Sequence, residues 1–168
     1  MKEILCRIER CLGCRACEIA CAVEHSESKS LIGALREEPL PRSRVRVLGV
    51  DQNGGIVRLR SVALQCRQCS EPACAEACIA GGIVQEETTG IVRFSRERCV
   101  GCWSCIMVCP YGAIVRVPAS SVAIKCDRCP EREMPACVAA CPVHALVFVE
   151  PAEFEAMYGE AEVCHHRK

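Results

Sequence analysis

Apolar and polar positions fall into short blocks along this chain. Arg44-Val-Arg-Val-Leu-Gly-Val50 and Ile56-Val-Arg-Leu-Arg60 are strand-like, and the Asp51-Gln-Asn-Gly-Gly55 between them is turn chemistry. Together they predict a hairpin. Ile83 to Gln85 and Ile91 to Phe94 flank a turn containing Thr88, Thr89 and Gly90. Ala113 to Val117 and Val122 to Lys125 lie on either side of Pro118, and Ala145 to Val149 is one more β-branched run. Four groups of cysteines separate these blocks. From the third cysteine of each group onward, as from Cys74 to Ala80, the chain reads as a single short helix. Residues 26–43 are polar, with Pro39 and Pro41, and read as a connector. The expected class is α+β.

Strands this short cannot bury a sizeable core, and aromatic residues make up only 4% of the 168 residues. Something other than side chains must fill the centre. The length allows one domain, or two small ones packed together. Lys+Arg and Asp+Glu balance at 21 each. A bulk electrostatic binder of nucleic acid would show a basic excess, so that class is disfavoured. No apolar run approaches the ~20 residues of a membrane-spanning helix. The opening Met1–Arg10 has no continuous hydrophobic stretch or small-residue cleavage site, and Arg7 and Arg10 are too far apart for a twin-arginine signal. The expected compartment is the cytoplasm, with any membrane association made through a partner.

The chain carries 18 cysteines. Disulfides need an oxidising compartment, which nothing here suggests, so this many thiols point to metal. Sixteen of them form four runs: Cys11, Cys14, Cys17 and Cys21; Cys66, Cys69, Cys74 and Cys78; Cys99, Cys102, Cys105 and Cys109; Cys126, Cys129, Cys137 and Cys141. Every run ends in C-x3-C, which makes an internal repeat. The bacterial ferredoxin run is C-x2-C-x2-C-x3-C-P, whose fourth cysteine ligates the other cluster of a pair. Run three matches it in full through Pro110. Run one matches except that Ala22 replaces the proline. Runs two and four widen the middle spacer to four and seven residues, and run four keeps Pro142. Zinc favours two C-x2-C pairs separated by a longer loop. Runs two and four fit that, but runs one and three crowd the sulfurs too closely.

Gly13 and Gly101, each just before a second cysteine, suit a close approach of backbone to inorganic sulfide, with an ordinary turn glycine as the plainer reading. Pro110 and Pro142 end their loops and are expected to exclude water beside a sulfur. Trp103, between two ligands, is expected to pack near a cluster. Cys6 reads as a buried small hydrophobe and Cys164-His-His as a terminal tail. His25 and His144 are nearer to surface or packing residues than to donors toward a sulfur. From Arg42 to Arg60 there are five arginines against one aspartate, and from Glu150 to Glu162 five glutamates and no base. Both read as solvated surface, with complementary docking of partner subunits as the alternative.

Four such runs, the second and fourth widened, resemble the four-cluster iron–sulfur electron-transfer subunits of the hydrogenlyase and dimethylsulfoxide-reductase type, over about residues 1–150. Leu64-Gln-Cys-Arg-Gln-Cys-Ser-Glu-Pro-Ala-Cys74, Val100-Gly-Cys-Trp-Ser-Cys105 and Pro135-Ala-Cys-Val-Ala-Ala-Cys-Pro142 look most like the subunit that accompanies nickel carbon-monoxide dehydrogenase. The short spacer of run four departs from the reductase branch. The resemblance implies four [4Fe-4S] clusters in a row with crossed ligands. Cluster one takes Cys11, Cys14, Cys17 and Cys141; cluster two takes Cys66, Cys69, Cys74 and Cys109. Cluster three takes Cys99, Cys102, Cys105 and Cys78, and cluster four takes Cys126, Cys129, Cys137 and Cys21. It also implies two ferredoxin-like modules. Residues 61–118 form the inner one; residues 1–60 with 119–152 form the outer one, with a hairpin insertion at about 42–60 and a tail at 153–168.

No nucleophile–base pair or Gly-rich phosphate loop is present, and a cubane held by four cysteines has no open position for substrate. The expected role is therefore non-catalytic relay of single electrons. Its partners are a catalytic oxidoreductase subunit and a second redox protein, with self-association left open. Carbon-monoxide dehydrogenase is the preferred catalytic partner, with formate dehydrogenase, a tungsten aldehyde oxidoreductase or a hydrogenase as competitors. A free polyferredoxin and a zinc-ribbon nucleic-acid module are the alternatives from other classes.

Overall fold

A computed structural model describes residues 2–50, 60–117 and 120–159. In chain order the elements are β1 (Glu3–Cys6), α1 (Ala16–Glu24), α2 (Leu31–Ala34), β2 (Val45–Val50), β3 (Arg60–Gln65) and α3 (Ala73–Glu76). β4 (Ile83–Gln85), β5 (Val92–Phe94), α4 (Ser104–Val108), β6 (Val115–Val117) and β7 (Val122–Ile124) follow, then α5 (Ala136–Ala139), β8 (Leu146–Val149) and α6 (Pro151–Tyr158). The class is α+β, as the residue pattern predicts.

Among the described residues the strands form four two-stranded antiparallel sheets: β1 with β8, β2 with β3, β4 with β5 and β6 with β7. The β1–β8 ladder runs from Glu3 opposite Val149 to Cys6 opposite Leu146, so the first described strand pairs with the last. β2 buries Val45 and Val47 and turns Arg46 and Leu48 outward, the period-two pattern of a strand with one covered face. Its partner is displaced from the expected position. The strand expected at 56–60 is found at Arg60–Gln65, with Val45 opposite Gln65; the turn and residues 56–59 lie outside the described residues.

The buried side chains form two cores. One gathers Ile4, Cys6, Val45, Val47, Val62, Val138 and Leu146 around Cys17, Cys21, Cys126 and Cys137. The other gathers Ile83, Val92, Ile114 and Ala123 around Cys105, with Cys74, Cys78 and Cys109 packed against it. Helix α1 packs on α5, and α3 on α4. β3 goes with β2 into the first core, and β7 goes with β6 into the second, because a strand without its ladder partner leaves its backbone polar groups unmatched.

The acidic segment after Glu150 is not a solvated tail as far as Tyr158. Pro151 opens α6, and Glu150 and Glu153 complete a reciprocal capping box. Phe154 is 0% exposed and meets Tyr158 edge to face at 5.0 Å. The Arg7 guanidinium lies 3.9 Å over the Tyr158 ring. Pattern reading missed this because the glutamates line the exposed side of a single helix whose one buried residue is an isolated aromatic. Cys164, His165 and His166 lie outside the described residues.

Candidate metal centres

The four cysteine loops share a backbone device. The residue before the second cysteine has positive φ in every run: Gly13 at +69°, Gln68 at +52°, Gly101 at +68° and Arg128 at +64°. A left-handed residue reverses the chain inside the loop, which lets closely spaced thiols converge. Glycine adopts it freely, whereas a side chain pays about 1–2 kcal/mol. Gln68 offsets that with two buried hydrogen bonds: its Oε1 accepts from the Val92 N–H at 2.8 Å, and its Nε2 donates to the Cys126 carbonyl at 2.9 Å. A Cβ on Gly13 would approach Ser61 Oγ to 2.6 Å, and one on Gly101 would run into the Ser121 carbonyl oxygen. Neither glycine is among the residues lining the cavities described next; what each shows is a turn and a close packing contact.

Each run's third cysteine sits on the short helix that follows the loop: Cys17 on α1, Cys74 on α3, Cys105 on α4 and Cys137 on α5. The helix then carries the fourth thiol away. Cys11, Cys14, Cys17 and Cys141 line one cavity, with Leu12, Val47 and Pro142. Cys66, Cys69, Cys74 and Cys109 line a second, which opens to a surface volume of about 440 Å³ rimmed by Glu3, Pro110 and Pro151. Cys78, Cys99, Cys102 and Cys105 line a third, with Val100 and Trp103. The thiols of Cys21, Cys126, Cys129 and Cys137 form a fourth group, in which the first three are close enough to raise Cys137. These are sites one, two, three and four. In each, three thiols come from one run and the fourth from another.

Burial dominates the electrostatics. It pushes the thiols of Cys17 and Cys74 up to about 11 and that of Cys126 up to about 12. Burial raises Cys69, Cys105, Cys129 and Cys137 too, and in each set neighbouring cysteines add to the rise. Thiols raised this far are protonated at neutral pH, and they ionise together only where a cation takes the protons' place. Donors are ready for the resulting thiolates. The N–H four residues on donates to the fourth thiol in three runs: Gly82 to Cys78 at 3.2 Å, Ala113 to Cys109 at 3.4 Å and Ala145 to Cys141 at 3.1 Å. In run one α1 continues past Cys21, so its own N–H groups are spent on helix bonds; the Arg44 N–H donates instead, at 3.2 Å. The donor set fits a thiolate-ligated iron–sulfur group.

A polar relay flanks site four. His25 Nδ1 lies 2.7 Å from the Cys21 carbonyl oxygen and 3.7 Å from Cys21 Sγ, and its Nε2 lies 3.2 Å from Asp127 Oδ1. Asp127 also accepts from the Cys129 N–H at 3.0 Å and pairs with the Arg44 guanidinium. Against its burial, the bonds from His25 and the Arg44 charge hold the Asp127 carboxyl well below its usual range. Burial alone would lower His25, but Asp127 and Cys21 push it up to about 9. Burial would raise Cys21 as well, yet His25 and the Arg44 N–H take it below the usual thiol value. His25, Asp127 and Cys129 are grouped closely enough to suggest a separate cation site, but Cys129 belongs to the site-four set and Asp127 is already committed to Arg44. Sequence reading treated Arg44 as part of a solvated basic strip; it is turned inward onto Asp127.

Other parts of the site escaped sequence reading. Gln65, Gln68 and Lys125 are each 3% exposed. The signal was available at Ala123-Ile-Lys-Cys126, where a lysine ends an apolar run beside a ligand-type cysteine. Trp103 does line the site-three cavity, with the Arg116 guanidinium 4.6 Å over its ring. Pro110 and Pro142 line sites two and one but are themselves exposed. His144 is exposed, and Cys6 is buried in β1. No helix among the described residues is long and apolar enough to cross a membrane.

Residues 57–151 match the family described as "4Fe-4S dicluster domain". The chain is 36% identical to the electron transport protein HydN of Escherichia coli K12, over 94% of this chain and 93% of that one. It is 30% identical to the thiosulfate reductase electron transfer subunit PhsB of Salmonella typhi, over 92% and 80%. It is 33% identical to the formate dehydrogenase-O iron-sulfur subunit of E. coli K12, over 84% of this chain and 50% of that one. With the convergent thiol sets, these likenesses make the chain a [4Fe-4S] iron–sulfur protein of the dicluster ferredoxin type, a member of the family of electron-transfer subunits of oxidoreductase complexes.

Proposed function

We propose that the sixteen run cysteines hold four [4Fe-4S] clusters in the crossed arrangement of sites one to four, and that the chain relays electrons without catalysing a reaction of its own. When bound, such clusters take up and give back one electron at a time. The observation that carries the reading is the recruitment of each site's fourth thiol from a different run. Two modules follow from it: an inner one over residues 66–124, and an outer one from residues 2–65 and 125–150. The exchanged thiols couple sites one and four, and likewise two and three. Cys66 of site two lies near enough to Cys126 of site four to raise its thiol. The order one, four, two, three is the resulting line.

The ends of that line suit partners. Cys14 and Cys102, the second cysteines of sites one and three, are the exposed members of their sets. Each is preceded two residues earlier by an apolar side chain open to solvent, Leu12 at 71% and Val100 at 65%. Such residues bury well against a docked redox protein. One partner is a catalytic oxidoreductase subunit and the other a second redox protein. Carbon-monoxide dehydrogenase is our preferred catalyst on the likeness of Leu64–Cys74, Val100–Cys105 and Pro135–Pro142. Formate dehydrogenase is the second reading, favoured by the formate dehydrogenase-O subunit among the relatives.

Anaerobic reconstitution tests the cluster count, with about sixteen irons per chain expected. Cys141→Ser should perturb the electron paramagnetic resonance signal of the run-one cluster. Loss confined to the run-four cluster would reject the crossed scheme. Mixing with carbon-monoxide dehydrogenase or formate dehydrogenase and their substrates identifies the donor that reduces the chain.

A further inference from the structure

Lys125 follows β7, immediately before Cys126, and is 3% exposed. Its Nζ donates to the Val92 carbonyl and, at 3.0 Å, to the Cys126 carbonyl. Both acceptors are neutral, and no carboxylate among the described residues pairs with it. A buried ammonium without a counter-charge is strongly disfavoured. The groups that can supply one are thiolates. Val92, whose carbonyl takes the Lys125 ammonium, lines the site-two cavity with Cys66, Cys69, Cys74 and Cys109. On the other side, Cys126 of site four is its covalent neighbour.

The ammonium is also held in place. Gln68 spans the same two residues, accepting from Val92 N–H and donating to the Cys126 carbonyl. Lys125 and Gln68 together tie β5 of the second core to the run-four loop of the first. They fix one positive charge at the seam between sites two and four, in an interior where charges act strongly.

We propose that Lys125 is an internal counter-ion shared by sites two and four, which favours the electron at these two middle positions over sites one and three. The inference rests on the four-cluster reading. Each one-electron reduction adds a negative charge to the group the thiolates hold, and a fixed cation beside it stabilises that charge.

The test is a redox titration of the anaerobically reconstituted full chain, followed by electron paramagnetic resonance, with iron counted on each sample. Lys125→Gln keeps a donor for the two carbonyls and removes the charge; Lys125→Arg keeps the charge. Lys125→Gln with full iron should disfavour reduction at two of the four clusters by about tenfold, or about 59 mV for a one-electron couple, leaving the other two unchanged. Lys125→Arg should titrate like the wild type. Unchanged potentials in a fully loaded Lys125→Gln, or an equal shift of all four, would overturn the proposal. If Lys125→Gln loads less iron while Lys125→Arg loads fully, the charge is what the seam requires and the proposal stands; if both fail, the staple geometry is what matters and it falls. A wild-type chain short of about sixteen irons would instead refute the cluster count, which is read before any variant is compared.

Discussion

Phe154→Ala should undock α6 while leaving the rest of the chain folded. Phe154 is 0% exposed, and its removal loses both its own burial and the edge contact with Tyr158. Phe→Ala at a buried site costs about 3–5 kcal/mol. What remains is the Arg7 contact with Tyr158, worth about 0.5–1 kcal/mol, and the Glu150–Glu153 capping box, worth about 1 kcal/mol. An eight-residue helix has no stability of its own to add. A loss of about 3 kcal/mol raises local opening by at least about a hundredfold. Hydrogen exchange reads this at the Phe154 and Gly159 amides, which donate to Glu150 and Glu155 at 3.0 and 2.9 Å. Amides of the β2–β3 ladder should keep their wild-type rates. Pro151 and Glu3 rim the site-two cavity, so a chelator should also strip iron faster from the variant. Exchange in α6 within about threefold of wild type would refute the docking argument. A uniform rise across all ladders would show that Phe154 supports the whole fold instead.

Gly101→Ala should reduce iron loading sharply, because its Cβ meets the Ser121 backbone; Gly90→Ala, at the same φ of +68° but with nothing within 4 Å, should cost only about 1 kcal/mol and load normally. Loading iron at neutral pH should release protons, since the Cys17, Cys74 and Cys126 thiols lie at about 11, 11 and 12 in the metal-free chain. Protons compete with metal for these sulfurs, so metal retention should fall as pH falls; a pH indicator in weak buffer and a retention profile check both signs. Val100→Asp should slow reduction by a protein partner at site three without changing iron content or reduction by dithionite; equal slowing with both reductants would place the residue in the cluster site rather than on a docking face.

What was legible in the sequence was whatever repeats. C-x2-C spacing and the closing C-x3-C mark the loops and the short helices. The β-branched blocks mark strands, because each is long enough to pair once. What stayed hidden depends on contacts between distant segments. Nothing local at residues 61–65 says that the strand pairs with β2 rather than opening the next module; that follows from the β2–β3 register. Gln68 and Arg128 occupy the same left-handed position as Gly13 and Gly101, yet only the glycines announce it. Gln68 is held there by Val92 and Cys126, far away in the chain. Burial of Lys125 is likewise a property of the seam, created when β5 and the run-four loop meet.

The division has a physical cause. A chain with so few aromatic residues cannot specify its interior by side-chain volume alone, so local spacing encodes the loops that hold the metal, and long-range polar contacts encode how the loops are stacked. Val92 and Cys126 are each bonded by both Gln68 and Lys125. Two of those bonds, Gln68 to the Cys126 carbonyl and Lys125 to the Val92 carbonyl, join distant stretches of chain, so neither is visible to a motif and both are lost if one core turns relative to the other. The contacts that join the two cores therefore also hold thiol sets two and four at one separation, which makes the packing of the cores and the proposed electron path a single structural property.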